Sequence, residues 1–82
     1  MKFWRTIAQR NEQDIEFRVN FYKWLWSQSK IKQAIIEQYI IGANQIEIAA
    51  GLKISPIKVR CALIDAEKSL ERNIKNYKAK EN

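Results

Sequence analysis

Ser55-Pro56 is the pair of residues that most restricts what this chain can fold into. A serine before a helix accepts a hydrogen bond from the orphan amides of the first turn. A proline at the first helical position loses nothing by lacking an N–H, and its φ is already helical. From that start Val59, Leu63, Ala66, Leu70, Ile74 and Tyr77 recur at spacings of 4, 3, 4, 4 and 3. Such a stripe predicts one amphipathic rod of about 22 residues, fraying into the polar run from Lys78 to Asn82.

Reading upstream, Asn44-Gln45-Ile46-Glu47 has the form of a capping box, Asn as the cap and Glu three residues on. It opens a short helix whose buried face is expected from Ile46, Ala49 and Ala50, with Gly51 ending it in a left-handed conformation. Leu52 and Ile54 then plug the turn before Ser55. Ser29 caps a helix expected over 30–41, where Ile31, Ala34, Ile35 and Tyr39, flanked by Ile36, Ile40 and Ile41, make a broad apolar surface and Gly42 is the stop. Residues 1–28 form an aromatic-rich segment with two readings. Asn11-Glu12-Gln13-Asp14 resembles a helix start with acids in the first turn. Beyond it Ile15, Val19, Tyr22 and Trp26 make one helical face, and Phe17, Phe21 and Trp24 a second. Ile15–Phe21 also alternates as a strand does, so a hairpin with Phe3–Ile7, turning near Asn11, competes. Helix is favoured, because the apolar density runs into Trp24-Leu25-Trp26 without a turn.

Two glycines and one proline leave few loop formers, so an all-α small helical bundle in a single domain, 1–82, is the expected class. Within it, a helical region covers 30–78 and a helix-turn-helix 44–69. The 15 Lys and Arg against 9 Asp and Glu give a net charge of +6, which favours a polyanionic partner. One cysteine, Cys61, and no histidine exclude an internal disulfide, a structural zinc site and a Cys–His nucleophile. Asp14 and Glu16 have no nucleophile or metal partner nearby, and so short a chain has little room for a catalytic cleft. No enzyme, metal or cofactor is expected. No run approaches a membrane span, and the lone thiol suits a reducing cytoplasm.

The helix-turn-helix makes specific physical demands, and this sequence meets them. Ala49 and Ala50 are small where the helices approach, Gly51 suits a tight turn, and Leu52, Ile54, Val59 and Leu63 share an interior. Pro56, Ile57, Lys58, Arg60 and Cys61 are then left to face outward, where a major groove offers base edges and a helix N-terminus favours phosphate. The stretch from Ile35 to Arg72 resembles region four of bacterial sigma factors and the related motif of small phage-type transcription regulators. Gln45, Glu47, Ile48, Ala49, Leu52, Ile54, Ser55, Val59, Arg60, Ala66 and Leu70 stand at the positions of that pattern. The resemblance implies that Pro56, Ile57, Lys58, Arg60 and Cys61 face bases, with Ser55 near a phosphate. The chain departs from the pattern at Ile57, Ala62 and Asp65, where the family carries polar or basic residues, and it has no counterpart of sigma region two.

These readings converge on a transcription regulator that binds double-stranded DNA through Ser55, Pro56, Ile57, Lys58, Arg60 and Cys61, aided by Lys53 and Gln45. Lys30 and Lys32 are further phosphate candidates. Competing readings are an adaptor that binds RNA polymerase or another host protein, and a DNA packaging or excision accessory. Trp4, Trp24 and Trp26 are expected in core or interface packing, with stacking on single-stranded bases as the alternative. Ile74 and Tyr77 need a cover beyond a three-helix core, supplied either by the N-terminal segment or by a second subunit; a homodimer is the expectation.

Overall fold

A computed structural model describes the backbone of residues 2–81 and the side chains of residues 2–76. Among the described residues five helices follow one another: α1 (Lys2–Gln13), α2 (Ile15–Trp26), α3 (Lys30–Ile40), α4 (Gln45–Leu52) and α5 (Pro56–Glu81). The described residues contain no strand, so the N-terminal segment is a pair of helices and the hairpin is excluded.

Each helix boundary has a local cause. Asp14 leaves the helical conformation (φ −133°, ψ 106°), and its Oδ1 accepts from the Phe17 N–H at 3.1 Å, which caps α2. The helix start expected at Asn11 therefore lies three residues later, and Asn11 is a buried residue inside α1. Ser29 accepts from the Lys32 N–H at 3.4 Å to open α3. At its other end Gly42 takes φ +114°, the Ala43 N–H returns to the Gln38 carbonyl and the Gly42 N–H to the Tyr39 carbonyl. This doubled return is the Schellman closure that glycine favours, as the sequence indicates.

The rod opened by Pro56 is 26 residues long, four beyond the expectation. It spans about 39 Å at 1.5 Å per residue, close to the 42 Å longest dimension of the molecule. Val59, Leu63, Ala66 and Leu70 are buried along it, and Ile74 packs against the same core. The Tyr77 side chain lies outside the described residues. The N-terminal pair supplies cover for this rod: the Trp24 indole N–H donates to Ser69 Oγ at 3.1 Å, and Asn20 Nδ2 donates to Asn73 Oδ1 at 3.0 Å. Phe17, Phe21, Trp24 and Leu25 of α2 join Trp4, Ile7, Ile35 and Ile36 in one core. Trp4 and Trp24 pack with ring centroids 6.5 Å apart, whereas Trp26 stands exposed. Along α3 and its C-cap the apolar surface divides, with Ile35 and Ile36 buried and Ile31 and the capping Ile41 exposed. No helix among the described residues is long and apolar enough to cross a membrane.

Candidate nucleic-acid interface

The capping box at the start of α4 is complete. The Glu47 N–H donates to Asn44 Oδ1 at 2.8 Å, and the Asn44 N–H donates to Glu47 Oε1 at 3.0 Å. Between them two of the groups that a helix start leaves unpaired are satisfied. The buried face of α4 is Ile48 and Ala49. Ile46 and Ala50, expected inside, are exposed. At about 100° per residue, Ile48 and Ala49 already span the side of this short helix that meets α5, and Ile46 and Ala50 fall outside it.

The turn corrects the sequence reading more sharply. Gly51 is an ordinary helical residue with open space around its missing Cβ. The left-handed residue is Lys53 (φ 58°, ψ 43°). Its N–H reaches back to the Ala50 carbonyl and the Ile54 N–H to the Ala49 carbonyl at 3.0 Å, a second Schellman closure. Extending α4 through Leu52 brings Ile54 back over Ala49, and both Leu52 and Ile54 pack on the core. Hydrophobic closure thus determines which residue turns left-handed, at the expense of the residue type best suited to it.

Ser55 then opens α5, its Oγ accepting from the Lys58 N–H at 3.2 Å. With Val59 and Leu63 fully buried against α4, the first two turns of α5 are fixed in orientation. Helical geometry places Ile57 and Cys61 on the side away from Val59 and Leu63, with Lys58 and Arg60 on the two flanks, about 160° apart. Ser55, Pro56, Ile57, Lys58, Arg60, Cys61 and Lys53 are all exposed; Gln45 is half-buried at the first position of α4. The structure therefore leaves the turn and α5 residues of the expected set exposed together around the start of α5, interrupted by the half-buried Ile54 and the buried Val59, whereas Gln45 stands apart on α4. The ridge of this exposed set is apolar, Ile57 being 73% exposed, and cations border it. Lys30 and Lys32 sit on the first turn of α3, exposed and half-buried respectively. Among the described residues no group of three or more Cys, Asp or Glu side chains is placed to hold a metal ion.

Comparison with protein-family models, with curated proteins and with solved structures finds no match for this chain.

Proposed function

We propose that the chain binds double-stranded DNA through the leading end of α5 and acts as a transcription regulator of the sigma region-four-like kind. The observation that carries this reading is the exposure of Lys53, Ser55, Pro56, Ile57, Lys58, Arg60 and Cys61 on a helix start whose angle is held from behind by Val59, Leu63, Leu52 and Ile54. A helix end held rigidly clear of its own core is what entry into a major groove requires. Lys58 and Arg60, on opposite flanks rather than on the base-facing side that the resemblance implies, are assigned to phosphates on the two walls of the groove. Ser55 and the α5 N-terminus offer a further anion contact. The Ile57 ridge suits apolar contact with thymine methyl groups, a base-specific interaction that needs no hydrogen bond.

Gel retardation of a random duplex at low salt tests the reading. The wild-type chain is expected to retard it, and the double variant Lys58→Glu, Arg60→Glu to lose most of that retardation while keeping its helical circular dichroism. No retardation by the wild type contradicts the proposal. The exposed apolar residues Ile57 and Ile46, 73% and 72% accessible, favour a second reading in which the same end docks on RNA polymerase or another protein. In that case the charge reversals leave function intact, and Ile57→Asp abolishes it.

A further inference from the structure

The helix α2 carries two apolar faces, and only one of them is covered. Phe17, Phe21, Trp24 and Leu25 enter the core, whereas Ile15 (70%), Val19 (49%), Tyr22 (36%) and Trp26 (67%) are exposed. At 100° per residue these four fall within a strip about 60° wide, turned well away from the core face. The Tyr22 and Trp26 rings lie 6.1 Å apart. With Val19, Arg18 and Lys23 they line a depression of about 370 Å³. Tyr22 also borders a second depression beside Ile41, which is 83% exposed. Single exposed apolar residues are ordinary; four in register on one strip call for a partner.

We propose that this strip pairs with the same strip of a second copy of the chain, the two α2 helices running antiparallel. The spacing 4, 3, 4 reads identically in both directions, so a two-fold axis midway between Asn20 and Phe21 brings every member of the strip to an apolar counterpart. Ile15 then meets the partner's Trp26, and Val19 meets the partner's Tyr22. Each layer sets an aliphatic side chain against an aromatic one. The flanking charges complement this pairing. Glu16 and Lys23 lie on one flank of the strip and Arg18 on the other. Antiparallel pairing joins like flanks, which brings Glu16 within about 3 Å, along the axis, of the partner's Lys23, twice by symmetry. Parallel pairing would instead set each ring against its own copy, Tyr22 on the partner's Tyr22 and Trp26 on the partner's Trp26, and leave the small aliphatic residues facing each other. A contact through one 12-residue helix per copy offers fewer residues than the roughly 20–30 a side of a standard interface, so the dimer is weak and concentration-dependent.

The pairing does not depend on the DNA reading, but it has a consequence for it. The bonds Trp24–Ser69 and Asn20–Asn73 hold α2 antiparallel to α5 in matched register. The two-fold axis is thus level with residues 72–73 of α5, about 22 Å along that helix from Lys58. Two leading ends related by the axis stand about 44 Å apart along the helices, more than the ~34 Å of one duplex turn.

Sedimentation equilibrium of the full chain between about 1 µM and about 1 mM tests the pairing without any DNA present. A reversible dimer is expected, weakened at least about 100-fold by Val19→Glu, which buries two charges near the axis. Glu16→Lys and Lys23→Glu each weaken it by roughly tenfold, and the double swap restores it. Because Glu16 and Lys23 are exposed, the swap decides the question even where Val19→Glu disturbs folding. A chain monomeric throughout the range, a dimer indifferent to Val19→Glu, or a double swap no better than the single variants overturns the proposal.

Discussion

Lys53 holds a backbone conformation that costs an L-residue about 1–2 kcal/mol, most of which glycine would avoid. Two residues earlier Gly51 sits in mid-helix, where it costs about 0.8–1 kcal/mol relative to alanine. Both positions face open solvent, so substitution tests the turn without repacking. Lys53→Gly is expected to stabilise the protein by about 0.5–1 kcal/mol, the gain being reduced by the larger unfolded-state entropy of glycine. Gly51→Ala is expected to stabilise it by about 0.5–1 kcal/mol, read from the urea midpoint. A left-handed Gly51 would give the opposite sign, since alanine there would be strained. Gly42→Ala is the control: at φ +114° it should destabilise by about 1 kcal/mol or more. Residue type alone points to Gly51 as the turn, because glycine is the favoured left-handed residue. What overrides it is the packing of Leu52 and Ile54 on the core, a tertiary contact that a propensity argument does not see.

At the level of the element, the caps at Ser29, Asn44 and Ser55 and the stop at Gly42 were legible because each combines a capping side chain or glycine with the edge of an apolar stripe. The start of α2 was less so. Asp14 terminates one helix and caps the next with no loop between them, and the run Asn11-Glu12-Gln13-Asp14 offers several polar residues for that one role. Asp14→Ala is expected to cost about 1 kcal/mol, since it removes the acceptor for the Phe17 N–H and a favourable charge at the helix start. Strand-like alternation across Ile15–Phe21 arises from α2 having apolar residues on two faces, one packed inward and one open. The two faces should respond very differently. Phe21→Ala is expected to destabilise by about 3–5 kcal/mol, whereas Val19→Lys should change monomer stability by no more than about 0.5 kcal/mol. Thermal or urea unfolding at low protein concentration separates them, and comparable losses would mean that the outer face is packed.

Across the whole molecule, α5 links the two regions that carry its proposed functions. Its leading turns stand free beside α4, and its middle is tied to α2 through Ser69 and Asn73. The long stripe predicts such a rod and its need of cover. It does not say which segment covers Ile74, because an apolar stripe specifies burial and leaves the partner open. Polar pairs 53 and 45 residues apart in sequence settle that, and no local pattern announces them. The exposed set at 53–61 was legible for the converse reason: once Val59 and Leu63 are assigned inward, helical periodicity alone leaves its neighbours outside. The central claim, that this leading end engages the DNA backbone and bases, is tested most directly by the salt dependence of binding. For the wild type, log K against log salt should fall with a slope of about −2.7 or steeper, corresponding to three or more neutralised phosphates. Lys58→Ala and Arg60→Ala should each reduce that slope by about 1. A slope that both substitutions leave unchanged would contradict the account, because the phosphates would then be met elsewhere on the molecule.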